Sequence, residues 1–329
     1  MNPTGTTRLT GKKTALFSLI TLVLFLLAGE LALRLIGYAP VETCYVNVPG
    51  VHHLHKPNWK GLHYGKLLVT NRWGLRGNDF AAEKPAGEFR VLCLGDSVTF
   101  GFGVANGEDY PAQLESILNR RDGGFPRYVV INSGVDAYST REEVEYYIRY
   151  GSAFNPDRVI LGICLNDVTE TNLPLDVPFK NYLKKSAYYY LLKDIRHRLV
   201  VSDIRDRDKQ TYGLRDDVAQ ANVSAETERS WERVYSELRR LKAAMGTKVS
   251  PNLIVLLFPV RSQLANGEVF STERVARFCG QEGLKFEDPL PVLKNCKGDA
   301  FLDELHLSKT GNECVAEWLS SLFPRPVEP

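Results

Sequence analysis

Hydrophobic and polar positions along this chain fall into two regimes. Residues 14–36 form one apolar block interrupted by Glu30 and Arg34. From about residue 87 onward, short apolar runs alternate with longer stretches of helical period. The runs at 90–95, 128–132, 158–164, 252–258 and about 284–287 read as strands, because they are short and the clearest of them end in Gly, Asn or Cys-Leu-Asn-Asp rather than continuing at a 3.6-residue period. Helices are predicted at 110–120, 141–150, 225–245, 272–279 and 309–322, with Gly246 stopping the third and Ser308 offering an N-cap to the last. Strands alternating with helices in this way call for a parallel sheet covered on both faces.

The amino-terminal block, about 23 residues long, is sufficient to span a bilayer. Glu30 and Arg34 are an i,i+4 pair near its far end and can neutralise each other there. Arg8, Lys12 and Lys13 precede the block, which places the tail in the cytoplasm and everything after residue 36 outside it. No small-x-small cleavage site follows, so the expectation is an uncleaved signal-anchor rather than a removed signal peptide. The protein is expected in the cell membrane as a single-pass species, with its folded part in the periplasm if the host is Gram-negative.

The chain is accordingly divided into a cytoplasmic tail (1–13), a transmembrane signal-anchor (14–36), a linker and domain-packing segment (37–86), a main domain (87–322) and a short tail (323–329). The linker carries Pro40, Pro49, Pro57 and Pro85 and one strand-like run, 66–70; His52, His53, His55 and His63 fall in it and look peripheral. No acidic partner stands near Val51-His52-His53-Leu54-His55, so no metal is expected there. Within the main domain, 168–224 does not fit the minimal alternation. It holds a tyrosine-rich stretch (184–192) expected to be helical and the charge-dense 203–209. Because it leaves the sheet directly after Asn166-Asp167, it is placed either to overhang whatever lies at that sheet edge or to stand away from it.

Composition changes the picture little. Hydrophobic residues make up 44% of the 329, enough for one well-cored domain, and a net charge of +2 gives no reason to expect nucleic acid. The six cysteines show no Cys-x-x-Cys pattern. Cys93 and Cys164 lie in strands and should be buried packing groups, whereas Cys279 and Cys296 flank one strand and could bridge in an oxidising compartment.

Chemistry enters at Gly95-Asp96-Ser97, where the first strand ends abruptly before a glycine-rich turn. A strand-to-helix turn of this kind presents a serine hydroxyl at the carboxyl edge of a sheet. A serine needs a base, and of six histidines His306 is the best placed: it precedes the last helix, with Asp303 three residues ahead. In a tight turn Asp303 can accept from the imidazole Nδ1 and leave Nε2 facing Ser97, although the same pair would also serve to cap a helix. His197, in a basic stretch, reads as a solvated face. Two further strand ends present Gly134, whose bare backbone permits close approach, and Asn166, whose carboxamide can donate to an oxyanion. Ligands of open α/β sheets bind at that edge.

The four segments Gly95-Asp96-Ser97, Gly134, Asn166-Asp167 and Asp303-Glu304-Leu305-His306, in this order, resemble the blocks of the SGNH, or GDSL, hydrolase superfamily, and the segment 70–77 resembles one that precedes the hydrolase domain in its membrane-anchored bacterial members. The resemblance covers roughly 87–322. It implies a three-layer α/β/α sandwich with a mostly parallel, flavodoxin-like sheet, here preceded by one transmembrane helix. It further implies Ser97 as nucleophile, His306 as base, Asp303 as its orienter, and an oxyanion hole of the Ser97 amide, the Gly134 amide and the Asn166 side chain, with Gly95, Asp96 and Asp167 in support. Two positions depart from the family pattern: Cys164 and Ala137 stand where glycines are common. Both are small, and Cys164 reads as strand packing.

The expected function is an extracytoplasmic serine esterase that needs no metal or organic cofactor. Its substrate would be an O-acyl ester, with short acyl groups on carbohydrate the first expectation; its other partner is the lipid bilayer. Two alternatives stay open at this point: an O-acyltransferase acting on a surface or exported polysaccharide, and a catalytically idle carbohydrate-binding accessory protein.

Overall fold

The computed structural model describes residues 11–36, 44–63, 66–121, 127–169, 186–189, 191–192 and 217–323. His197, the charge-dense 203–209 and most of 168–224 lie outside the described residues. The chain divides into two compact units, 1–42 with 174–203 and 43–173 with 204–329.

In the first unit, α1 (Gly11–Leu35) is a single 25-residue helix with no buried residue, long and apolar enough to cross a membrane. Near its end Glu30 pairs with Arg34 at 2.8 Å and also accepts from the Ser186 hydroxyl (2.7 Å) and the Ala187 amide (2.8 Å). The Tyr188 hydroxyl donates to the Leu26 carbonyl at 3.1 Å. Part of the expected tyrosine-rich helix is present at 187–189 and 191–192, and it is docked on α1 through the one acidic side chain of the apolar block.

The second unit is built on a five-stranded parallel sheet. Its strands are β5 (Glu88–Gly95), β6 (Arg127–Asn132), β7 (Arg158–Cys164), β8 (Leu253–Phe258) and β9 (Lys285–Glu287), in the order β6-β5-β7-β8-β9. That order is the flavodoxin-like one. Leu253 to Phe258 are all buried, which is why the run reads as continuously apolar rather than alternating. Helix α2 (Ser97–Phe100) follows β5, α3 (Tyr110–Asn119) precedes β6, and α4 (Thr140–Arg149) precedes β7. Beyond 217 come α5 (Ala225–Met245), α6 (Arg261–Asn266), α7 (Phe270–Glu282), α8 (Leu290–Lys294) and α9 (Lys309–Ser321). Helix α3 packs on α9 and α4 on α5, the layers that cover the sheet. The α/β sandwich is the one expected. Gly246 caps α5 and the Ser308 hydroxyl caps α9, accepting from the Gly311 amide at 3.1 Å.

The upstream segment is not peripheral. It forms two small hairpins, β1 (Tyr45–Asn47) with β2 (His53–His55) and β3 (Lys60–His63) with β4 (Lys66–Val69). His53 and His55, expected at the periphery, are buried. Arg76 is buried too: it pairs with Asp109 at 3.1 Å and donates to the carbonyls of Phe100 (3.0 Å), Gly101 (2.7 Å) and Val104 (2.8 Å). A guanidinium is suited to this because its fork of five donors can satisfy several carbonyls at once. Arg76 thereby clamps this segment to the end of α2. Buried Arg90 does the same on the other side, donating to the carbonyls of Ala81 (2.8 Å) and Phe154 (2.8 Å) and pairing with Glu88 at 2.6 Å.

The disulfide expectation is corrected. Cys296 bridges Cys314, while Cys279 is a buried free thiol in α7. Cys279 is turned into the core, and α8, which ends just before Cys296, packs on α9, which carries Cys314.

Candidate active site

Ser97 is the first residue of α2, a helix of four residues. Asp96 caps it, its Oδ1 accepting from the Val98 amide at 2.8 Å. A Cβ on Gly95 would lie 2.0 Å from Thr99 Oγ1, so the turn that lifts Ser97 off the strand closes only over a glycine. Across the site, Asp303 and His306 sit in the turn before α9. His306 Nε2 lies 2.9 Å from Ser97 Oγ, and His306 Nδ1 lies 2.7 Å from Asp303 Oδ2. The other oxygen, Asp303 Oδ1, accepts the amides of Leu305 (2.9 Å) and His306 (2.7 Å). The three-residue spacing thus makes a closed turn in which one carboxylate binds both the backbone and the ring of the same histidine. Burial by itself would raise the Asp303 carboxyl. The His306 hydrogen bond and charge, with the two amides, outweigh burial and bring it down to about 2. Phe102 stacks on the His306 ring at 4.1 Å between centroids.

The third block converges on the same place. Asn166 Nδ2 donates to Asp96 Oδ2 at 3.1 Å, and Cys164 Sγ donates to Asp96 Oδ1 at 3.3 Å. Asp167 accepts from the Cys164 amide (3.1 Å) and the Thr140 hydroxyl (3.3 Å), which folds the end of β7 over itself. Burial pushes the carboxyls of Asp96, Glu143 and Asp167 upward; for Glu143 and Asp167, neighbouring carboxylates push in the same direction. Both Glu143 oxygens are buried with no hydrogen-bond partner, a state suited to a neutral acid.

The second block is placed at the site's edge. A Cβ on Gly134 would lie 2.2 Å from the Phe100 amide nitrogen, so β6 ends directly against the backbone of α2. The Gly134 amide donates to Asn132 Oδ1 at 3.0 Å. To serve an oxyanion it would have to share that bond. Ala137, in the place of a common glycine, has φ +61°.

Residues 93–314 match the GDSL-like lipase/acylhydrolase family. The chain belongs to that family. It is therefore a serine hydrolase acting on ester bonds. No curated protein sequence matches it. Among solved structures, 53 chains match. A lipolytic protein of the G-D-S-L family from Desulfitobacterium hafniense is 15% identical, with 71% of this chain and 99% of that one covered and a TM-score of 0.43. The lipase/acylhydrolase from Enterococcus faecalis is 13% identical, covering 73% and 100%, at 0.43. A catalytic mutant of an acetylxylan esterase from Geobacillus stearothermophilus is 16% identical, covering 73% and 97%, also at 0.43.

The structure of this GDSL-family chain brings together Gly95, Asp96, Ser97, Asn166, Asp303 and His306 by the contacts given above, with Gly134 against α2 and Asp167 beneath the third block. Sequence reasoning missed Phe102, Glu143, Arg76 and the partnership of Cys164 with Asp96. The one available signal was Gly101, which ends α2 in the left-handed region directly before Phe102, whose amide donates back to the Ser97 carbonyl at 3.0 Å.

Proposed function

We propose that this protein is a membrane-anchored extracytoplasmic esterase in which Ser97, His306 and Asp303 carry acyl transfer. The observation that carries the reading is the unbroken chain from Ser97 Oγ to His306 Nε2 (2.9 Å) and from His306 Nδ1 to Asp303 Oδ2 (2.7 Å). His306 Nε2 takes the Ser97 proton as Oγ bonds to the ester carbonyl carbon. The tetrahedral intermediate then collapses, the bond to the alcohol breaks, and His306 returns the proton to the departing oxygen. Water repeats the sequence on the acyl-enzyme and releases the acid. Asp303 stays ionised, holds the ring tautomer and balances the imidazolium. The Ser97 amide, the Gly134 amide and Asn166, whose carboxamide is oriented by Asp96, are the donors assigned to the oxyanion.

Ser97 is only 7% exposed, and Phe102 lies against the ring of the base. This burial favours a short acyl group, and acylated carbohydrate outside the cytoplasm is the substrate class proposed. Helix α1 supports the anchor, and the Cys296–Cys314 bridge supports an oxidising compartment. The test is a fluorophosphonate probe on the full chain, followed by peptide mass mapping and a chain-length series of aryl esters. Ser97 is expected to carry the label and short acyl groups to turn over fastest. Labelling elsewhere, or none on folded protein, would overturn the reading.

A further inference from the structure

Tyr45, His53 and His63 find no role in acyl transfer, yet all three meet one residue of the second block. The Tyr45 hydroxyl donates to Asp136 Oδ2 at 2.5 Å, and His63 Nε2 lies 2.6 Å from the same oxygen. His53 Nε2 lies 3.0 Å from the Asp136 backbone carbonyl, and the Tyr138 hydroxyl donates to the His53 carbonyl at 2.5 Å. The two neighbours of Ala137 are therefore tied, through side chain and backbone, to the hairpins that precede the hydrolase core.

Ala137 needs this. Val135 to Tyr138 form a four-residue turn closed by the Tyr138 amide on the Val135 carbonyl at 3.2 Å, and its third residue has φ +61°. Turns with positive φ at that position favour Gly or Asn, and an alanine there is held against its own preference. Strained backbone persists only where the surroundings over-determine it. The turn also matters for the site: it begins where the Val135 amide donates to the Gly95 carbonyl at 3.1 Å, one residue after Gly134 meets α2. Burial, then the charge of Asp136, push the Cys44 thiol up to about 12, so it stays protonated 3.5 Å from His63 Nδ1. His63 Nδ1 faces that thiol, and Nε2 is the ring nitrogen turned to Asp136.

We propose that Tyr45, His53 and His63 are positioning residues: by locking Asp136 they hold the left-handed Ala137 turn and so fix the Gly134 end of β6 against the nucleophile helix. The upstream hairpins then compensate for the glycine this chain lacks at 137. The proposal rests on reading Ser97 and Gly134 as parts of the acyl-transfer site.

The experiment is a double-mutant cycle in the full chain, crossing His63→Leu and Tyr45→Phe with Ala137→Gly. Each brace variant should lower kcat on an aryl ester by ~10- to 100-fold, the scale expected for about an ångström of misplacement, with KM changing far less. Ala137→Gly in the same background should restore most of the loss. Hydrogen exchange at the Tyr138 amide gives a readout independent of turnover: faster in His63→Leu, slowed again by Ala137→Gly. Unchanged kcat and exchange in the brace variants would overturn the proposal, as would losses that Ala137→Gly does not relieve. If the wild type failed to label at Ser97 while exchange followed the expected pattern, the acyl-transfer reading would fall and the brace would stand.

Discussion

Ser97 Oγ and His306 Nε2 lie 2.9 Å apart although 209 positions separate them in the chain. One stands at the start of α2 and the other just before α9, at opposite ends of the hydrolase sequence. Only the parallel sheet brings the two together.

Removing either should cost most of the activity. Ser97→Ala and His306→Ala are each expected to lower kcat by ~10⁶, as when a serine triad loses a member that acts as part of a unit. Asp303→Asn should cost roughly 10⁴, because the imidazole tautomer is then wrong while the geometry survives. Steady-state kinetics on an aryl acetate check all three, and a residual activity near wild type in any one removes that residue from the mechanism.

Asp303 also predicts an acid limb of stability. Its carboxyl moves from an ordinary 3.8 to about 2 in the folded chain. A group lowered on folding stabilises fully above its unfolded value and loses that contribution as pH falls through the folded one. The contribution, on the order of 2 kcal/mol, should therefore be complete above about pH 4 and vanish between pH 4 and 2. Urea unfolding across that window should show the loss in the wild type and not in Asp303→Asn.

Asn166→Ala should lower kcat by roughly 10² to 10³ with little effect on substrate binding, the scale for one lost oxyanion donor. Asn166→Asp should be at least as damaging, since it sets a second carboxylate beside Asp96 and next to a forming negative charge. Near-normal turnover in Asn166→Ala would remove Asn166 from the oxyanion hole.

Cys164 does more than fill the strand, since its thiol donates to the carboxylate that holds both α2 and Asn166. Cys164→Gly would leave a buried gap and take a donor from Asp96, so a loss of about 1–3 kcal/mol is expected together with reduced kcat. Cys164→Ser, which keeps a donor of nearly the same size, should sit closer to wild type. Equal kcat for the serine and glycine variants would reduce Cys164 to packing.

The Cys296–Cys314 bridge closes a loop of 18 positions, and its removal by Cys314→Ser should cost about 3 kcal/mol. Intact mass of protein recovered from membranes, before and after reduction, should differ by two hydrogens. Six free thiols in that protein would contradict the oxidising location.

Much of the hydrolase fold was legible because its signals are local. The strands β5, β6, β7 and β8 are buried apolar runs, and the predicted bounds differ from the observed ones by no more than about two residues. The Asp303–His306 pair was legible for the same reason, since a three-residue turn fixes its geometry within a few bonds. Helix α2 was not predicted as an element: four residues carry no period. Nor were α6, α8 and three of the four hairpin strands, each too short to show a pattern.

What the sequence determined alone was the order of the sheet strands and the longer helices, the serine turn, the histidine turn and one helix able to cross a membrane. Pairing across distance belonged to the tertiary structure. It chose Cys314 over Cys279 as the partner of Cys296, because α8 packs on α9 while Cys279 faces the core. It also gave three of the four upstream histidines distant partners, His55 stacked on Phe100 and both His53 and His63 on Asp136. A side chain's partner is set by which surfaces the sheet and helices bring together, and no spacing along the chain encodes that for residues 73 positions apart.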